Sequence, residues 1–298
     1  MIRVALIGDS HLSNWKRAWD LIANNHPGVE LVFFGAAGTR LACCAPRSDR
    51  LVFEDDDVAR TVEATSGGHR EVVAADYDAI CIIGLRFGVR VMTDLYPRWR
   101  TDSHQGKEGS FHLVSDACFF DTLSDRLKDS PAMLLVHKLR SITDKLILMA
   151  VQPAISEAML TLPDRQPGVR LAMAAGDDNS LKATFRDACR HLESSNLIIL
   201  DQPEETLASP LLSKDMFRRE SEGELDWAHM NDAFGELALR DLLSHLHLHF
   251  GAMPDDRAGQ KRDEHVAEID KDRAGTPSLW GKLKRSLGST SFPPSRRQ

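Results

Sequence analysis

Ile2-Arg3-Val4-Ala5-Leu6-Ile7-Gly8-Asp9-Ser10-His11 opens the chain. Its first six residues are mostly aliphatic and end in a Gly-Asp turn signal, the pattern of a short strand buried on both faces. Ser10 stands where that strand hands over to the next segment. Four more strand-length apolar runs recur at wide intervals: Val29–Phe34, Ala79–Ile83, Leu146–Val151 and Leu197–Leu200. Helical segments are expected over Asn14–Asn24, Ser115–Lys128, Pro131–Ser141, Ser180–Ser195 and Asp232–His249. Strand and helix in alternation argue for an α/β domain, with a mostly parallel five-stranded sheet and helices on both faces.

Composition agrees with a globular protein. The 298 residues are 42% hydrophobic and 27% charged, enough for one large α/β domain or two small ones. Formal net charge is -7, so nucleic-acid binding, which needs a basic face, is not expected. The five cysteines include adjacent Cys43 and Cys44 but no CxxC spacing, and read as reduced thiols. The first apolar run is too short for a signal peptide, and no stretch reaches the ~18 apolar residues of a membrane span. The expected location is cytoplasmic.

Two regions interrupt the pattern. Residues 40–76 carry Asp55-Asp56-Asp57 and Ser66-Gly67-Gly68 and are expected to form a hairpin or loop insertion. Tyr96–Phe111 has little periodicity and reads as a binding loop or lid, with Trp99 either a stacking face for a sugar or an anchor on the core. The domain is expected over 1–250. Residues 251–298, rich in Asp, Arg, Lys, Pro, Gly and Ser, read as a mostly disordered tail. Within it Leu279, Leu283 and Leu287 fall at i, i+4 and i+8 with basic residues between, so segment 279–287 could touch an anionic membrane surface weakly.

A serine hydroxyl needs a base within hydrogen-bond reach and a third group to orient that base. Asp226-Trp227-Ala228-His229 supplies both types three residues apart, just before the last expected helix. Ser10, at a strand end, faces the carboxyl edge of the sheet, where open α/β folds place ligands. The following helix aims N–H groups and its positive end at the same place. Ser10 is therefore the candidate nucleophile, His229 the base and Asp226 its orienting acid.

Gly-Asp-Ser at the first strand with a late Asp-x-x-His resembles the SGNH/GDSL hydrolase superfamily over roughly Met1–Phe250. The resemblance implies a three-layer α/β/α flavodoxin-like fold. It also implies a Ser-His-Asp esterase or acyltransferase that needs no metal or other cofactor. His11 in the first block resembles the variant found with carbohydrate O-acyl chemistry. The family also implies oxyanion donors from the Ser10 N–H and from a glycine after the second strand, for which Gly38 matches better than Gly35. A third donor is normally the asparagine of Gly-x-Asn after the third strand, but this chain reads Gly84-Leu85-Arg86. Arg86 could donate in its place, clamp an anionic substrate group, or mark lost catalysis.

Among other candidates, Arg40 could meet a carboxylate or phosphate, and His104 could line the substrate cleft. His245, His247 and His249 alternate by two near a helix end and so face different ways, which argues against a shared metal. Gly176-Asp177-Asp178-Asn179 reads as a helix N-cap. No phosphate-binding glycine motif appears, so nucleotide binding has no motif support. Two functions remain: an esterase or O-acyltransferase on an acyl ester, with carbohydrate as one possible carrier, or a catalytically degenerate binding protein on the same scaffold in a glycan-related pathway. Sequence leaves the oligomeric state open.

Overall fold

The structure is a computed structural model, and it describes residues 1–220 and 225–251. Five parallel strands form the central sheet: β1 (Ile2–Gly8), β2 (Val29–Gly35), β3 (Ala79–Ile83), β4 (Leu146–Ala150) and β5 (Leu197–Leu200). Their order across the sheet is β2-β1-β3-β4-β5, the flavodoxin-like order, which switches direction beside β1. Register places Gly8 opposite Gly35 on one side and Ile83 on the other, so the three strand ends reach one edge together.

Strand side chains alternate between two cores. Val4, Leu6, Leu31, Cys81 and Leu148 face helices α1 (Leu12–Ile22) and, at the end of the domain, Asp232–Phe250. Ala5, Ile7, Phe34, Ile82 and Met149 face the other layer. That second layer contains α2 (Asp56–Ser66), α3 (Arg90–Leu95), α4 (Asp116–Lys128), α5 (Pro131–Arg140), α6 (Pro167–Ala175) and α7 (Asp178–Leu192). The C-terminal helix over Asp232–Phe250 is α8. The three-layer α/β/α architecture is thus the one expected from the alternating pattern.

Elements outside the expectation are short or depend on distant partners. Residues 40–76 contain the expected hairpin (Ala45–Arg47 with Arg50–Val52). They also contain a third antiparallel strand, Glu71–Val73, and all of α2. Asp55 caps α2 by accepting from Asp57 N and Val58 N, so the acidic run begins a helix instead of filling a loop. Trp99 packs against the core, the anchoring role of its two alternatives. The expected tail, with its 279–287 segment, lies outside the described residues, of which only Gly251 belongs to it. Among the described residues no helix is long and apolar enough to cross a membrane.

Helices α1 and α8 pack closely because Gly235 has no side chain. A Cβ there would lie 2.4 Å from the backbone oxygen of Asn14. Arg17 and Asp232 bridge the same pair at 2.7 Å. Gly235→Ala is expected to force the helices apart and to cost about 1–3 kcal/mol, read as a lower denaturant midpoint. An unchanged midpoint would show that the pair tolerates the added methyl.

Candidate active site

The turn after β1 is fixed by Asp9. This buried carboxylate accepts from His11 N through Oδ1 at 3.0 Å and from Leu85 N through Oδ2 at 2.9 Å. Leu12 N also donates to the Asp9 backbone oxygen at 2.9 Å, and α1 begins at Leu12, two residues before the expected start. Ser10 is left exposed in the turn immediately before the helix.

The second half of the site is a turn held by its own aspartate. Asp226 Oδ1 accepts from Ala228 N at 3.3 Å and from His229 N at 3.1 Å. The His229 ring thereby comes back over the carboxylate, with Nδ1 3.0 Å from both Oδ1 and Oδ2. Outside supports hold the turn. Arg219 N donates to His229 O at 2.8 Å, and Ser156 N to Trp227 O at 2.9 Å. Asn231 caps α8 through Phe234 N at 3.2 Å and donates to Met216 O at 2.8 Å.

The two halves meet. Ser10 Oγ lies 2.9 Å from His229 Nε2. An ionised carboxylate only accepts, so Nδ1 carries the ring proton and Nε2 is free to accept from the serine. Burial pushes the Asp226 carboxyl up, but the hydrogen bonds from His229 N–H, the His229 ring and Ala228 N–H outweigh it and hold the group below its ordinary range. It stays ionised near neutral pH, as an orienting acid must. Three thiols are excluded as competing nucleophiles, since burial pushes Cys44 up to about 11 and Cys81 and Cys189 up to about 12.

Oxyanion donors require N–H groups that are not already used. Gly35 N donates to Thr65 Oγ1 at 2.9 Å, which leaves Gly38 as the candidate after β2. Among the described residues the N–H groups of Ser10, Gly38 and Arg86 have no backbone acceptor. Arg86 ends three consecutive left-handed residues, with φ of 75° at Gly84, 50° at Leu85 and 60° at Arg86. Leu85 and Phe87 are fully buried and Arg86 is exposed, so the turn sends one side chain outward. Its guanidinium makes no hydrogen bond or ion pair among the described residues.

Two other expectations change. Arg40 is drawn to internal carboxylates, at 2.5 Å from Asp55 and 3.8 Å from Asp57, so it is not a free anion receptor. His104 is only 3% exposed, beneath the edges of Tyr96 and Phe119, with Nδ1 accepting from Thr101 N at 3.1 Å. Burial pushes its imidazole below the ordinary value. It is a packed core histidine and does not line a cleft. A groove of about 480 Å³ beside Lys182, Arg186 and Arg190 shares no residue with the triad. Its cations are matched by Asp201, Glu204 and Asp187.

Two anchors, Asp177 and Asp9, were missed in the reading of the sequence. Asp177 occupies the N-cap position of α7 but makes no side-chain cap. Its carboxylate instead accepts from Tyr96 Oη at 2.5 Å, Gln105 N at 2.6 Å and Gly106 N at 3.0 Å. The 96–111 loop is therefore pinned to the second layer. Arg100 secures it further, stacked between Tyr96 and Phe111 and donating to Gly106 O and Glu108 O. For Asp9 a signal existed: a carboxylate locked between a buried strand and the serine, with no cation near it in sequence.

No family model matches the chain, and no curated protein matches its sequence. Solved structures of low identity are similar to it. One is a carbohydrate esterase family 2 enzyme with a carbohydrate-binding domain from Corynascus thermopiles (Myceliophthora fergusii): 13% identity, 84% of this chain and 67% of that one, TM-score 0.35. A second is a DUF4886 family protein from Bacteroides uniformis: 13% identity, 82% of each chain, TM-score 0.42. A third is the C-terminal catalytic domain of peptidoglycan O-acetyltransferase A from Streptococcus pneumoniae: 10% identity, 83% of this chain and 93% of that one, TM-score 0.30.

Asp177→Ala would strand a buried hydroxyl and two N–H groups, at an expected cost of about 3 kcal/mol or more. Burial pushes the Asp177 carboxyl up, but its three hydrogen bonds outweigh this and hold it below its ordinary value of 3.8. A depressed carboxyl contributes stability above its unfolded value and loses it as pH falls through the folded one. The gap between wild type and Asp177→Ala should therefore be full at pH 6 and shrink below about pH 4, in denaturant titrations across that range. A gap constant with pH would contradict the anchor.

Proposed function

We propose that the chain is an SGNH-type serine esterase or O-acyltransferase acting on an acyl ester. The observation that carries the reading is the continuous line Ser10 Oγ–His229 Nε2, 2.9 Å, and His229 Nδ1–Asp226, 3.0 Å. His229 Nε2 takes the Ser10 proton as Oγ bonds to the acyl carbon. The carbonyl electron pair moves to oxygen, where the Ser10 and Gly38 N–H groups and Arg86 donate. Collapse breaks the ester C–O bond, and the leaving alkoxide takes the proton from His229. The acyl group on Ser10 then passes to water, or to a sugar hydroxyl: His229 takes a proton from that water or hydroxyl and returns it to Ser10 Oγ as the acyl–Oγ bond breaks. Every proton is carried by residues of this chain. Arg86 replaces an amide donor with a cation, which suits a developing negative charge.

The replacement of asparagine by Arg86 also favours a second reading, a scaffold that binds an acylated glycan without turnover. The two separate cleanly. A serine-directed fluorophosphonate should label Ser10 in the folded protein and hydrolysis of a short acyl ester should be measurable. Ser10→Ala should abolish both, and Asp226→Asn should lower kcat by about 10³–10⁴. Folded wild type that neither labels nor hydrolyses would leave only the binding reading.

Arg86→Ala tests the third donor. As an oxyanion donor its loss should lower kcat by about 10²–10³ with KM little changed. A rise in KM at constant kcat would assign Arg86 to substrate clamping instead.

A further inference from the structure

His11 is a titratable side chain in the serine turn that this mechanism does not use, and unlike Asp9 its ring lies beside the base. It is 6% exposed and its ring lies beside that of His229 in a tilted arrangement, with centroids 5.2 Å apart and planes inclined by 36°. Its backbone is fixed by the Asp9 carboxylate at 3.0 Å. The backbone that carries the ring is therefore held by the same carboxylate that fixes the serine turn.

We infer that His11 is a positioning residue for the base: its ring is the surface against which His229 becomes an imidazolium. This rests on the serine-hydrolase reading above. While His229 is neutral, the contact is ordinary packing between two rings. When the Ser10 proton reaches Nε2, a cation lies within about 6 Å of an aromatic face, where the ring quadrupole attracts it. The attraction appears only as the proton moves, so it favours the transition state over bound substrate. A neutral His11 is required, because a second positive charge at that distance would repel the first. Burial pushes the His11 imidazole below its ordinary value. Asp9 opposes the shift, His229 adds to it, and Asp226 opposes it weakly. Asp9 acts from the serine turn, and His229 and Asp226 from the turn before α8. Removing the ring should weaken His229 as a base, because its charged form loses a partner.

The full chain can be assayed on a short acyl ester, with fluorophosphonate labelling of Ser10 in parallel, as wild type, His11→Leu, His11→Gln and His11→Phe. His11→Leu is expected to lower kcat about three- to thirtyfold with KM unchanged. The acid limb of its kcat/KM profile should move to lower pH. His11→Gln, polar but without a ring, should behave like His11→Leu, and stands in for it should the leucine variant fail to fold. His11→Phe keeps the ring face and should restore both kcat and the acid limb. Wild-type kcat and an unmoved acid limb in His11→Gln or His11→Leu would overturn the inference. So would a folded His11→Phe as impaired as they are, since ring character would then be irrelevant. Failure of the underlying reading looks different: wild type itself would not be labelled, and the inference would fall with it.

Discussion

A single carboxylate organises the edge of the sheet that carries Ser10. Asp9 joins the turn after β1 to the turn after β3 by accepting one N–H from each. The second turn is strained, because Leu85 and Arg86 both adopt left-handed backbone, a conformation that costs non-glycine residues on the order of 1–2 kcal/mol each. Leu85 N–H on a carboxylate is charge-assisted and offsets much of that. Gly84 makes the arrangement sterically possible, since a Cβ at that position would sit 2.6 Å from Asp9 Oδ1. Close contact, strain and hydrogen bond are one unit, and Ser10 and Arg86 project from its two ends.

The same edge explains why a late histidine finds an early serine. Ser10 and His229 are 219 residues apart in sequence. The distance closes because α8 packs on α1 across the same sheet face, and α1 begins just after Ser10. The close approach at Gly235 and the Arg17–Asp232 pair fix where the N-terminus of α8 lies relative to that turn. Met230, buried between His229 and the cap Asn231, holds the turn to the core. Placement of the His229 ring is thus a packing result, while its tautomer is set locally by Asp226.

Strands were legible because burial on both faces leaves runs of four to seven mostly apolar residues, with Arg3 and Glu30 the charged exceptions, too short for a buried helix and too apolar for a loop. Ser10, Asp226 and His229 stood out because their types and order carry meaning without geometry, and the fold brings the three side chains within hydrogen-bond reach. What stayed hidden depended on partners remote in sequence. Asp177 looked like a cap because four residues of local context say so, yet its carboxylate is taken by Tyr96 and by two N–H groups from 105–106. His104 looked available in an irregular loop, yet its own ring is buried against Tyr96 and Phe119. Arg40 looked free beside the glycines, and Asp55, fifteen residues on, claims it. Loop polar residues are read wrongly when local sequence is taken as their whole environment.

Ser10 has a structural residue on each side, and the division of labour follows from what a nucleophile needs. The serine itself must stay exposed and unstrained so that an ester can reach it, and therefore it cannot also hold the turn. Asp9 takes that task, being buried, where a hydrogen-bonded charge is most effective. His11 is buried too, and its ring lies against the base rather than the solvent. A leucine or valine after the serine would pack as well, but it would present no electron-rich face to a charge created next to it. On the proposed mechanism such a face matters little to folding and much to proton transfer. On the proposed mechanism, the residue after the serine is thus the position in the Gly-Asp-Ser block where stability and chemistry place different demands on the side chain, and His11 is placed to meet both.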